Sequence, residues 1–157
     1  MGRVEKTNAM RILDRQKIKY EIIHYDCEKF IDGIHSAESS GVPVEASYKT
    51  LVMQGKSGLY YVFVVPVADT VNLKKAAKAV GEKSIEMVHT KDITGVTGYI
   101  RGGCSPIGMK KQFPTVIDES AQAIEKIYVS GGKVGVTVCL SPADLKQVAS
   151  AEYAQIV

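Results

Sequence analysis

The fold turns on residues 48–65: Tyr48-Lys49-Thr50-Leu51-Val52-Met53-Gln54, then Gly55-Lys56-Ser57-Gly58, then Leu59-Tyr60-Tyr61-Val62-Phe63-Val64-Val65. Two runs rich in β-branched and aromatic residues flank a four-residue connector with glycine at both ends, the pattern of a β-hairpin. Pro66 ends the second run, since it brings no N–H to a ladder.

Downstream, Asn72 is a side-chain cap for a helix over Leu73 to Val80, with Leu73, Ala76, Ala77 and Val80 on one face and Gly81 at the stop position. Lys74, Lys75 and Lys78 occupy the opposite face, the pattern of a solvated helix side that also suits RNA phosphates. Ser84 to Val88 reads as a short strand, Thr90 to Gly95 as a helical turn, and Gly98 to Ile100 as a strand opening into the loop Gly102 to Gly108. Thr115 to Asp118, Lys126 to Val129 and Gly135 to Leu140 are further strands, the last two joined through Ser130-Gly131-Gly132-Lys133. Ser141, Pro142 and Asp144 start a last helix that should reach about Ala151.

Upstream, Thr7 caps a helix over Asn8 to Lys17, Tyr20 to Tyr25 is a strand, and Ser36 to Gly41 is a short helix that Pro43 keeps from continuing. Strands and helices do not alternate strictly, so the expectation is one α+β domain over 1–157, a mixed curved sheet flanked by helices.

A chain of 157 residues, 45% hydrophobic, can bury a core without metals or disulfides. It has no apolar run of about 18 residues and no signal peptide, so a cytoplasmic location without a membrane partner is expected. Cys27, Cys104 and Cys139 are odd in number and show no paired spacing, which argues for reduced thiols. The net charge of +3 permits a nucleic-acid partner without demanding one. The motifs of P-loops, dinucleotide folds, zinc proteases and serine hydrolases are absent, and His24, His35 and His89 show no metal-ligand spacing.

Glycine and one lysine stand out. Gly102-Gly103 and Gly131-Gly132 each follow a strand, beside a hydroxyl (Ser105, Ser130) and near Lys110, Lys111 and Lys133. Such backbone can take positive φ and turn its N–H groups onto an oxyanion or phosphate, or it can be an ordinary turn. In an alternating strand Lys49 shares a face with Leu51, which aims a cation toward an apolar side and suggests an anionic partner; a snorkelling lysine is the simpler alternative.

At these residues the sequence resembles the YbaK family of aminoacyl-tRNA deacylases, relatives of the editing insertion domain of bacterial prolyl-tRNA synthetase. The matching blocks are Tyr48-Lys49-Thr50-Leu51, Asn72 to Lys78, Gly98-Tyr99, Gly102 to Gly108 with Lys110-Lys111, and Ile127 to Lys133, in family order. The resemblance implies a mixed α+β fold with a barrel-like sheet and removal of cysteine from mischarged proline tRNA, with the cysteine tRNA as a further substrate. It implies Lys49, Gly102 and Ser130 as catalytic residues and Tyr25 at the substrate. The family's pocket aromatic falls at Phe30 or Ile34, because the segment between Tyr25 and Lys49 is about two residues shorter here. Gly103, Ser105, Gly131 and Gly132 complete the expected substrate site. An acid that members carry after the SGGK block is replaced, Val136 and Thr137 standing there.

The mechanism implied is substrate-assisted: the cysteine thiol attacks its own carbonyl and leaves as a thiolactone, with Lys49 positioning the ester and Gly102 and Gly103 N–H groups holding the oxyanion. No metal or organic cofactor is implied. The partners implied are the 3′ acceptor end of aminoacyl-tRNA and prolyl-tRNA synthetase. The alternatives are an alanine-specific deacylase, a non-catalytic tRNA- or synthetase-binding module, and a phosphate-binding metabolic enzyme using the SGGK loop. Cys104 as an enzyme nucleophile is the competing chemistry.

Overall fold

The computed structural model describes residues 6–24, 42–100 and 103–157. Among them are four helices, α1 (Asn8–Arg15), α2 (Leu73–Val80), α3 (Ile93–Thr97) and α4 (Pro142–Val148). Eight strands accompany them: β1 (Glu21–His24), β2 (Tyr48–Gly55), β3 (Tyr60–Pro66), β4 (Ile85–Met87), β5 (Thr115–Asp118), β6 (Ile127–Lys133), β7 (Val136–Leu140) and β8 (Ala151–Ala154). The domain is α+β.

The hairpin forms as expected, β2 and β3 pairing from Tyr48↔Pro66 to Gln54↔Tyr60 without interruption. It is the middle of a five-stranded sheet ordered β4-β2-β3-β5-β8, in which β5 runs parallel to both β3 and β8. β1, β7 and β6 make a second, antiparallel sheet. Among the described residues one parallel bridge, Ser47↔Tyr128, joins the two sheets, between the residue before β2 and β6. The expected mixed curved sheet is thus made of two sheets that, among the described residues, meet at one rung.

Between the sheets lies one apolar cluster, with Met10 and Leu13 from α1, Tyr48, Val64, Ile117, Ile127, Val129, Val138 and Leu145. On the other face of the five-stranded sheet, Met53, Tyr61, Phe63 and Val65 pack against Ala76 and Ala77 of α2. β3 is covered on both faces, which explains why it reads as an unbroken apolar run rather than an alternating one.

The caps read from sequence act as expected. Thr7 accepts from the Met10 N–H, Asn72 from Lys74 and Lys75, and Ser141 from Asp144. Gly81 closes α2 in the left-handed region at φ 75°.

Several expectations are corrected. Gly98 to Ile100 is no strand: Gly98 is the left-handed cap of α3, at φ 83°. The first helix ends at Arg15, and Lys17 turns to φ 58° two residues later. Leu73 does not join the apolar face of α2 and stands 47% exposed. The last helix stops at Val148, and the chain then pairs as β8 beside β5. Finally, Ser130 to Lys133 is not a connector but the end of β6, the turn falling at Val134-Gly135. The short helix expected at Ser36 to Gly41 lies outside the described residues.

Candidate functional site

Alternation decides where Lys49 faces. Tyr48 belongs to the cluster between the sheets, whereas Leu51 and Met53 pack on the α2 side, so Lys49 shares the α2 side with them. It is half-buried, at the end of that apolar face and opposite Val65. On β6, Ile127 and Val129 point into the inter-sheet cluster, which leaves Tyr128 and Ser130 facing away from it.

The bridge between the sheets brings the strands that carry these side chains together. Lys49 and Ser130 each lie two residues beyond the isolated parallel bridge Ser47↔Tyr128, and alternation puts each on the side of its own bridge residue. Ser130 in turn pairs with Thr137 of β7, and Thr137 with Ile23 of β1. Paired rungs thus link Lys49 with Val65 on one sheet, and Ser130 with Thr137 and Ile23 on the other; all of these but Val65 are half-buried. Ile23 carried no sequence signal, and Thr137 only the signal of a missing acid.

Both glycine pairs reach this region. Between Ser130↔Thr137 and Lys133↔Val136 the β6–β7 ladder is interrupted, so Gly131 and Gly132 form a bulge that swings the end of β6. Gly132 sits at φ 99°, and a Cβ on it would come within 3.0 Å of Tyr99 Cε1. Gly103 lies against the end of the same strand, where an added Cβ would stand 2.9 Å from the Val134 nitrogen. The glycine loop and the SGGK bulge are therefore in contact through backbone, which only residues without side chains allow.

The expected roles within the loop are redistributed. The Gly103 N–H donates to the Ile100 carbonyl at 3.0 Å and so is engaged inside its own turn. Ser105 is fully buried, and its hydroxyl accepts from the Ile107 N–H at 3.2 Å, so it shapes the loop rather than facing a substrate. Gly131 is buried against Val136 and Val138. Tyr25, Phe30, Ile34 and Gly102 lie outside the described residues.

Burial pushes the Cys104 thiol up to about 11, a bond from Thr97 opposing the shift only partly. At neutral pH the group is a protonated thiol, not a thiolate, which removes the basis for a nucleophile there. Its neighbour Tyr99 is likewise pushed up to about 12, mainly by burial and then by Cys104, while its hydroxyl donates to the Ile107 carbonyl at 2.7 Å.

A model of the aminoacyl-tRNA editing domain matches residues 34–148. This chain belongs to that family. A protein of Enterococcus faecalis, EbsC, provisionally assigned as a Cys-tRNA(Pro)/Cys-tRNA(Cys) deacylase, is 43% identical over 153 residues, covering 97% of this chain and 93% of that protein. Among solved structures, one described provisionally as a trans-editing enzyme for prolyl-tRNA synthetase superposes with a TM-score of 0.82 at 22% identity over 98% of both chains. The hypothetical protein APE2540 superposes at 0.85 with 20% identity, over 96% of this chain and 99% of that one. At these identities the structural matches carry the fold alone. The editing-domain fold is thus built here from two sheets joined at Ser47↔Tyr128, with Lys49 and Ser130 on the face beside the join.

Proposed function

We propose that this protein is a trans-editing deacylase that removes cysteine from mischarged tRNA(Pro), with Cys-tRNA(Cys) as a second substrate. The observation that carries the proposal is that half-buried Lys49 and Ser130 each lie two residues from the bridge Ser47↔Tyr128, with the Gly131-Gly132 bulge next to Ser130 and Gly103 packed on the end of that strand. The likeness to EbsC over nearly the whole chain supports the choice of cysteine.

Such an enzyme answers a limit of binding energy: a synthetase pocket gains only about 1–3 kcal/mol from a methylene-sized difference, so a hydrolytic site must correct what selection lets through. The ester is already activated and needs mainly positioning. The Lys49 ammonium pairs with phosphate or ribose oxygens at the 3′ end and holds the ester. Ser130 and the Gly132 segment face the substrate from the neighbouring strand. With the Gly103 N–H engaged by Ile100, Lys49 is the described group left to stabilise the oxyanion. The substrate's sulfur attacks its own carbonyl carbon, a C–S bond forms, and the C–O bond to the ribose breaks. The thiol's proton goes to the departing ribose oxygen, leaving a cyclic thiolactone and free tRNA.

Deacylation of Cys-, Ala- and Ser-esters of tRNA(Pro), with and without prolyl-tRNA synthetase, tests the proposal. Cys-tRNA(Pro) should be discharged first, Lys49→Ala should abolish the reaction, and Cys104→Ala should retain most of it. Faster loss of alanine than of cysteine would assign a different substrate, and an unchanged charged pool would make the protein a binding module. The second reading draws on Thr137, which brings a neutral hydroxyl where relatives are expected to carry an acid.

A further inference from the structure

We infer that Thr7 is a positioning residue of this site, acting through the single peptide unit between Gly131 and Gly132. The inference rests on the deacylase proposal above and extends it to a residue outside the strands that carry Lys49 and Ser130. Thr7 Oγ1 donates to the Gly131 carbonyl at 2.5 Å, across 124 positions of sequence. On the other side, the Gly132 N–H donates to Ser130 Oγ at 3.3 Å. That carbonyl and that N–H are the two ends of one planar peptide, so the unit is held at both ends.

The hold answers a local need. Consecutive glycines, one of them at φ 99°, let the intervening peptide turn over at little steric cost, and a turned peptide would take its N–H away from Ser130. Thr7 is itself anchored as the cap of α1, accepting from the Met10 N–H at 3.2 Å. Capping requires only that acceptor; the donation to Gly131 is a separate use of the same hydroxyl. The next residue repeats the arrangement on the other glycine loop, Asn8 Nδ2 donating to the Gly108 carbonyl at 2.7 Å. The start of α1 therefore ties down both loops.

The consequence reaches the chemistry through Ser130. With the Gly132 N–H donating into it, the Ser130 oxygen has an acceptor position filled, and the hydroxyl is set to give its own proton to the substrate. Loss of the Thr7 donor frees the peptide and with it the direction of that proton.

Three variants separate this role from capping. Thr7→Ser keeps both functions, Thr7→Asp keeps the cap acceptor but has no proton for Gly131, and Thr7→Val loses both. Thr7→Ser should stay within about twofold of the parent in Cys-tRNA(Pro) deacylation, while Thr7→Asp and Thr7→Val lose about ten- to a hundredfold in kcat with little change in KM. Thr7→Asp should keep α1 capped and lose no more than the one tertiary bond, so its thermal midpoint should lie below that of Thr7→Ser and above that of Thr7→Val. An Asp variant as active as the Ser variant overturns the inference. Exchange of the Gly132 amide, followed by NMR, reads the same peptide without any reaction: it should be slow in the parent and Thr7→Ser and about tenfold faster in Thr7→Asp. If the parent discharges no tRNA the deacylase proposal falls, and equal Gly132 protection in parent and Thr7→Asp would then overturn the positioning role by itself.

Discussion

The molecule holds two hairpins that differ in one respect. In β2–β3 every residue from Tyr48 to Gln54 has a partner, and the turn closes through the Gly55 N–H on the Leu59 carbonyl and the Gly58 N–H on the Gly55 carbonyl. In β6–β7 the register breaks after Ser130↔Thr137, leaving Gly131 and Gly132 unpaired before Lys133↔Val136. The regular hairpin buries Phe63, Val64 and Val65 completely and supplies the core. The irregular one also buries Ile127, Val129 and Val138, but its departure from the ladder directly follows Ser130↔Thr137. Regular pairing fixes a scaffold; a bulge re-aims a strand end at the cost of two ladder positions, and here that end meets the glycine loop.

The largest test strikes the scaffold. Phe63→Ala should lower the unfolding free energy in urea by about 3–5 kcal/mol, because a fully buried ring leaves a cavity between the sheet and α2. The next is a matched pair. Gly58→Ala, at φ 92° with open space around it, and Gly132→Ala, at φ 99° against Tyr99 and Thr7, should each cost about 1–3 kcal/mol in backbone strain. Only Gly132→Ala should also lower kcat on Cys-tRNA(Pro); equal activity in the two variants would erase the distinction between the hairpins.

A smaller effect comes from pH. Burial raises the Cys104 thiol from 9.0 to about 11 in the folded chain, so folded and unfolded states are both protonated below pH 9 and the group contributes nothing to the pH dependence there. Above that the unfolded chain releases the proton first, and stability falls by on the order of 1 kcal/mol per pH unit until the folded value is reached. Thermal midpoints of the parent should drop over this window more than those of Cys104→Ala. Smallest of all, Lys126→Ala should leave the midpoint unchanged within error, since its pair with Glu21 is exposed at both ends.

Much of this architecture is legible in single residues. Thr7, Asn72 and Ser141 announce their helices because a cap is a local device, and the β2–β3 hairpin announces itself through its turn and apolar flanks. What local pattern could not supply is pairing at a distance. The last helix reads as running to about Ala151 with nothing regular after it, and only the edge of β5 makes Ala151 to Ala154 a strand. Glycine at 131 and 132 looks like a turn until the partner strand shows the ladder resuming at Lys133. Within the site, alternation and the glycine pairs single out Lys49 and Ser130 and the resemblance supplies their roles, whereas the meeting of their strands depends on Ser47↔Tyr128, which no spacing in the sequence encodes. Thr7 was visible as a cap, and its bond to Gly131 was not.

The rung Ser47↔Tyr128 between the sheets also sets a standard of accuracy for the face beside it. Successive side chains on a strand point to opposite sides, so a slip of one position between β2 and β6 would put Tyr48 or Thr50 alongside Ser130 and turn the lysine out of alignment. The stop against such a slip is a side chain on the hidden side: Tyr48 is buried in the inter-sheet cluster, and its hydroxyl meets Ser120 Oγ at 2.6 Å. Tyr48 thus works as an indexing pin, and the alignment of Lys49 is inherited from a neighbour facing the other way.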